Sequence, residues 1–436
     1  MFTTPEAVAE KLIKLRDSLI KLKQDRTTYV KSSSVVRLYD ELCEYIRQAQ
    51  EFESELLNGP REIGELVTDC YELISLLFLT VGRNNEPPAV YAPSVIIKRL
   101  LEHLNESGNF SRKDLVPLQR TLINMRENIE QGRPLYNSLI ISMLESQVCA
   151  SERSLKELKK RLEPIPSELE SLLERLVSLR RSIKACESKK QFQVTEVEGY
   201  LSQIKEIDAS RIDGKFVAED GNIPETGQDI LGALLKRCYI VAENALQKQG
   251  AVAPGLKTTY EELFQAKSQL EKLELTQAWS LRETDLYEFQ KLVLTLDQER
   301  VNGKFVDSEG NAPGEGQGIL LYMVRRCYAH IYSLINSSEV SNILLPVSEA
   351  LTPVFNQLQT VRRCLKEVQK FGISNARDLY PYSMKLASID NMRVDGKFMV
   401  GTDIPEGQGR VNSLLAECFE ICEELRNSED CGVATP

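Results

Sequence analysis

The chain has 436 residues, of which 42% are hydrophobic and 27% charged, with a formal net charge of −10. That length allows two or three ordinary domains or one long repeat array, and the composition is that of a folded, water-soluble protein. The acidic balance argues against a general nucleic-acid binder, which needs a dominant basic face, and no apolar run approaches the ~18 residues of a membrane span.

The opening stretch "MFTTPEAVAEKLIKLRDSL" lacks the apolar centre of a signal peptide and reads as a capped amphipathic helix. Ten cysteines follow along the chain without one CxxC pair, and the histidines are two, His103 and His330. The expectation is reduced, buried thiols in a cytoplasmic or nuclear protein, with no metal site and no cofactor. His330 stands three residues after Cys327, on one helical face, and reads as a packed side chain rather than half a metal site.

Moving along the chain, an acid followed by an apolar residue recurs eighteen positions before a glycine: Glu41 before Gly59, Asp114 before Gly132, Glu196 before Gly214, Asp285 before Gly303 and Asp378 before Gly396. The acid suits the positive end of a helix dipole, and the apolar spacing that follows is helical. The five glycines, four of them after Asn or Asp, are predicted to end these helices as left-handed C-caps. A further helix follows each, marked by Cys70, Met143, Cys238, Cys327 and Cys418. A third class of helix is marked by similar segments beginning at Leu12, Leu176, Leu263 and Leu358, with "VIIKRLLEHL" at Val95 in the second unit.

These markers divide the chain into five three-helix units, 1–90, 91–150 (shortened), 151–250, 251–340 and 341–436, the last with a frayed tail. The predicted fold is all-α, with the units stacked as an array, because a lone unit cannot bury both faces and stacked neighbours can. A chain of spectrin-like bundles is the alternative. From glycine to marker there are eleven residues in the first two units and twenty-four, twenty-four and twenty-two in the last three, so the last three carry an insertion.

That insertion repeats one phrase: "RIDGKFVAEDGNIPETGQ" from Arg211, "RVNGKFVDSEGNAPGEGQ" from Arg300 and "RVDGKFMVGTDIPEGQ" from Arg393. It reads as a short β-hairpin. One reading is structural, with Phe216, Phe305 and Phe398 plugging gaps between helices and the basic residues offsetting a helix C-terminus. The other is recognition. Arg211, Lys215 and Gln228, with Arg300, Lys304 and Gln317 and with Arg393, Lys397 and Gln408, could collect phosphates, a phosphorylated small molecule or an acidic peptide. The "DGK" triplet is no P-loop, since the G-x-x-x-x-G-K-[ST] spacing is absent and phenylalanine follows the lysine. Trp279 reads as partly buried between two helices, and "KSSS" at Lys31 is a weakly specific phosphorylation motif.

The phrase "DGKFV…P…GQ…LL…CY", carried by Gly214 to Tyr239, Gly303 to Tyr328 and Gly396 to Phe419, resembles a fungal family catalogued as domain of unknown function 2408. The third copy departs from it, with a shorter hairpin, Asp403 for the loop glycine and Phe419 for the tyrosine. The resemblance implies a fungal source and cytoplasmic or nuclear residence, carries associations with proteasome function and DNA repair, and supplies no active site. The expected function is a non-enzymatic scaffold that binds protein partners, without membrane or general nucleic-acid binding. Its rival is a sensor of phosphorylated ligands at the insertions. An enzyme has the least support, since two histidines leave little acid–base chemistry.

Overall fold

A computed structural model describes residues 5–25, 30–50, 61–190, 192–219, 221–274, 282–339, 350–371, 376–394, 396–399 and 408–430. Gly59, Trp279 and Asp403 lie outside them. The described residues form fifteen α-helices in consecutive threes. The first three are α1 (Pro5–Gln24), α2 (Ser32–Gln50) and α3 (Arg61–Thr80), followed by α4 (Tyr91–Ser107), α5 (Arg112–Gly132) and α6 (Ser138–Leu162). Next come α7 (Glu170–Glu187), α8 (Val194–Ala209) and α9 (Gln228–Lys248), then α10 (Lys257–Lys272), α11 (Leu286–Gln298) and α12 (Gln317–Glu339). The last three are α13 (Thr352–Phe371), α14 (Tyr380–Asp390) and α15 (Gln408–Asp430). No helix among the described residues is long and apolar enough to cross a membrane.

Local sequence explains many of the boundaries. Val8, Leu12, Leu15 and Leu19 line one face of α1, and all are buried. At the start of α5 the Ser111 amide donates to Asp114 Oδ2 at 2.8 Å, and before α11 the Arg282 amide donates to Asp285 Oδ2 at 2.9 Å. There the acids open helices by accepting a free first-turn amide. Glu41 does not. It lies in the middle of α2, which starts nine residues earlier at Ser32.

Within each three, the last helix packs against the first and the second. The cysteine markers show the same relation repeatedly. The Cys70 thiol donates to the Leu12 carbonyl at 3.8 Å, Cys238 to Leu176 at 3.6 Å and Cys418 to Leu358 at 3.5 Å. Those leucines head the similar segments found in the sequence, and each is fully buried. The helix of the second unit runs on to Leu162, past the boundary expected at 150.

The expected linear array does not form. In such an array each unit touches only its sequence neighbours. Here α12 packs on α4 of the second unit as well as on α7 and α13, and α11 with the turn at 283–285 packs on α3 of the first unit. A chain of separate bundles fails for the same reason. The cause is legible in α12, where Leu320, Met323, Val324, Cys327, Tyr328, Ile331 and Ile335 are all fully buried. A helix apolar on so many sides needs neighbours on several sides. One continuous core results.

Candidate functional site

The repeated phrase forms a hairpin in all three places, but the glycines act in its turn and not as helix caps. Helices α8, α11 and α14 end at Ala209, Gln298 and Asp390, several residues before Gly214, Gly303 and Gly396. Ile212 bridges Lys215 and Val301 bridges Lys304, while β1 (Arg393–Val394) pairs antiparallel with β2 (Lys397–Phe398). Asp213 and Asn302 have φ near 50°, and Gly214, Gly303 and Gly396 have φ of 75–77°. Two left-handed central residues define the tight turn whose twist suits a hairpin, and Asn-Gly or Asp-Gly is its preferred filling. Gly132 is a different case. It ends α5 with ordinary helical backbone, and a Cβ there would stand 2.1 Å from Pro87 Cγ. It is small so that the proline ring can pack.

The arginine of each copy is held by an acid three residues earlier. Arg211 Nη1 donates to Asp208 Oδ1 at 2.9 Å, Arg300 Nη1 to Asp297 Oδ1 at 2.8 Å, and Arg393 Nη2 to Asp390 Oδ1. Arg211 and Arg300 then close the turn by donating to the carbonyls of Gly214 and Gly303. Their guanidinium planes lie over the rings of Phe216 and Phe305, at 4.9 and 5.6 Å from the centroids. Phe216, Phe305 and Phe398 are all buried.

The glutamines clamp the other side. Gln228 Oε1 accepts the Phe216 amide at 2.7 Å, and its Nε2 donates to the carbonyls of Phe216 at 3.0 Å and Pro224 at 2.9 Å. Gln317 makes the same three bonds with Phe305 and Pro313. Both ends of each amide are consumed, so Gln228, Gln317 and the three arginines fasten the hairpin. The Gln408 side chain lies outside the described residues. Lys215, Lys304 and Lys397 remain exposed, with no ion pair among the described residues.

Sequence reasoning missed the acids Asp208, Asp297 and Asp390, although an acid three before each arginine at a helix end was there to be read. It placed Tyr239 and Tyr328 in the repeated motif but missed that they share these acids. Tyr239 donates to Asp208 Oδ2 at 3.1 Å and Tyr328 to Asp297 Oδ2 at 3.3 Å. The third copy has Phe419 at this place and can make no such bond. There Asn412 mediates instead, accepting from Arg393 at 3.4 Å and donating to the Gly396 carbonyl at 3.3 Å.

The middle copy is built into a larger charged cluster. His103 Nε2 of α4 stands 3.1 Å from Asp297 Oδ2, and its Nδ1 stands 3.4 Å from Glu106 Oε2. Glu106 also pairs with Arg300 and, at 3.5 Å, with Arg325. Burial lowers the His103 pKa, but the neighbouring carboxylates of Asp297 and Glu106 outweigh burial and raise it overall. Burial raises the Glu106 pKa, but His103 and Arg300 outweigh that and bring it to about 2. The other histidine, His330, is also buried and lies against Glu274, Glu271 and Arg326. Among the described residues no group of three or more His, Cys, Asp or Glu could hold a metal ion.

The family model described as "Protein of unknown function (DUF2408)" matches residues 162–283 and 344–434, which takes in the first and third hairpins. A Schizosaccharomyces pombe protein named "CUB1 family protein C30C2.08" is 38% identical over 434 residues, covering 97% of this chain and 93% of its own. The chain belongs to the DUF2408 family. A second relative of this DUF2408 protein, from Saccharomyces cerevisiae, is named "Cu(2+) suppressing and bleomycin sensitive protein 1". It is 36% identical over 502 residues, covering 97% of this chain and 89% of the relative. No solved structure matches the chain.

Proposed function

We propose that this protein is a non-enzymatic α-helical scaffold of the cytoplasm or nucleus, and that the three hairpins are contact points for a protein partner. The supporting observation is what each hairpin leaves outside once its polar groups are spent. Ile212, Val301 and Val394 occupy equivalent positions and are 54%, 55% and 59% exposed. An aliphatic side chain held out at the same place three times, beside an exposed lysine, suits apolar docking with a basic rim. Tyr380 and Met384, one turn apart on α14 and 66% and 53% exposed, extend the apolar surface of the last unit.

The rival, a sensor of phosphorylated ligands, keeps one lysine per hairpin, because the arginines and the described glutamines are engaged. A point charge without a fork or an amide beside it is a poor phosphate site. The copper and bleomycin in the budding-yeast relative's name describe that relative. In this chain most of the described cysteines are buried, and Cys149 is the exposed one.

The test is a variant carrying Ile212→Ser, Val301→Ser and Val394→Ser, purified from its own cells beside the wild type. The reading expects an unchanged melting temperature and loss of specific co-purifying proteins. An identical set of bound proteins in the folded variant would refute it.

A further inference from the structure

Helix α11 and the turn at 283–285 lie against α3, so the fourth unit meets the first along one seam. Charged side chains tie it. Lys23 of α1 pairs with Glu288 of α11 at 2.5 Å, and Lys291 of α11 pairs with Asp69 of α3 at 3.0 Å. Both ammonium groups lie over the ring of Tyr287, 5.1 and 5.7 Å from its centroid. Each of these cations has its acid.

Glu72 is the acid left over. It follows Asp69 by three residues, so the two carboxyls lie one turn apart on the same side of α3. Glu72 is 7% exposed and has no hydrogen bond or ion pair among the described residues. The charged groups that act on it are Asp69 on its own helix and Lys291 from α11, and it acts in turn on Tyr287 of α11 and Tyr91 of α4. A carboxylate buried without a cation of its own is costly, and the neutral acid avoids that cost. Burial is the main cause that pushes the Glu72 pKa up, Asp69 adds to it and Lys291 opposes it, and the result is about 7.

The same seam has other polar groups left unsatisfied. The Thr284 hydroxyl on the turn and both ends of the Gln290 amide on α11 are buried without a hydrogen-bond partner among the described residues. Contacts of that kind are where a fold opens locally before it unfolds.

We propose that Glu72 is a proton-operated latch on this seam: as the neutral acid it lets α3 close on α11, and as the carboxylate it loosens that contact. In the closed seam the ionised form would be buried beside Asp69, with the one ammonium of Lys291 between two carboxylates. Opening returns Glu72 to water, where a glutamate titrates near ~4.3. Below that value both states are protonated and closure is unopposed by Glu72. Between ~4.3 and about 7 only the open state gives up its proton, so closure weakens as pH rises, and above about 7 the loss is complete.

The experiment is hydrogen exchange of the intact chain from pH 5 to pH 8, corrected for the intrinsic pH dependence of exchange and read in peptides covering residues 282–291. The wild type is compared with Glu72→Gln, which keeps the shape of the neutral acid and has no proton to lose. Relative to that variant, opening of the wild-type seam should grow by about ten-fold or more from pH 5 to pH 7 and level off by pH 8. His103 titrates in both proteins, so the comparison cancels it. Asp69→Asn is the second variant, and keeps the test open if glutamine disturbs the packing. It frees Lys291 to pair with Glu72, so the rise should shrink. A wild type that tracks Glu72→Gln at every pH, or a rise undiminished in Asp69→Asn, would overturn the proposal. So would an equal rise in α13 of the fifth unit, because the titration would then report global unfolding rather than a seam.

Discussion

His103 and Asp297 are 194 positions apart in the chain, yet the imidazole Nε2 lies 3.1 Å from the carboxylate, and both side chains are buried. This pair joins α4 of the second unit to the end of α11, where the middle hairpin begins. Arg300 and Arg325 reach Glu106 across the same junction, and Tyr332 shares a hydrogen bond with Thr121 of α5 at 3.0 Å. The hairpin clasp and the long-range closure of the fold are therefore one network.

The junction should depend on pH in a definite direction. The groups around His103 are Glu106 on its own helix, Asp297 from α11, and Tyr328 from α12, with Arg300 of the hairpin and Arg325 of α12 paired to Glu106. His103 is raised, so its contribution is complete below an unfolded value of ~6.5 and is lost as pH climbs through the folded value. Burial pushes Asp297 up, but His103 and Arg300 outweigh it, and Asp297, like Glu106, is lowered. Those carboxylates contribute above ~4 and are lost as pH falls. The excess stability of the wild type over His103→Gln should thus be largest between about pH 4.5 and 6.5 and shrink by pH 8.5. A stability difference that stays constant over this range would contradict the assignment.

Phe305 is buried beneath the Arg300 guanidinium. Phe305→Ala should cost roughly 3–5 kcal/mol in urea unfolding. A loss under 1 kcal/mol would mean that the ring does not hold the hairpin to the helices.

Gln317 ties the hairpin to the start of α12 with three hydrogen bonds. Gln317→Ala leaves the Phe305 amide and carbonyl without those partners, so a loss of about 1–3 kcal/mol is expected. Gln317→Glu should lose stability too, because a carboxylate can accept the amide but cannot donate to the two carbonyls. A glutamate variant as stable as wild type would count against the clamp.

Two glycines should respond differently. At Gly303, with φ of 77°, valine is strained by its backbone and should destabilise by more than ~1 kcal/mol. At Gly132 the backbone is helical, and the obstacle is the Pro87 ring. Gly132→Ala should therefore be relieved by Pro87→Ala in a double-mutant cycle, while no neighbouring change should rescue Gly303→Val.

Much of this was legible in the sequence, and the failures have specific causes. The leucines at 12, 176 and 358 and the cysteines that meet their carbonyls could be aligned because each pair is local to one three-helix unit. The turn was misplaced because Asn-Gly and Asp-Gly serve equally as a helix cap and as a hairpin turn, and only the pairing of Ile212 with Lys215 or Val301 with Lys304 decides between them. Linear stacking was expected because repetition suggests it. The closure depends on α12 having several apolar faces and on His103 meeting Asp297, and no local pattern states which distant helix fills those faces. The arginines looked like ligand groups because a sequence shows their charge but not the acid one turn earlier as its owner.

The central claim is that the repeated phrase is a clasp whose polar groups are spent inside the fold. The most direct test is the melting temperature of the wild type and of a Lys215→Gln, Lys304→Gln, Lys397→Gln variant across inorganic phosphate, nucleotides and inositol phosphates. A ligand that binds only the folded state must raise that temperature by mass action. The clasp predicts a flat response in both proteins, with the variant within about 1 kcal/mol of wild type, because exposed lysines contribute little. A rise in the wild type that shrinks with added salt and disappears in the variant would contradict it and make the hairpins anion sites.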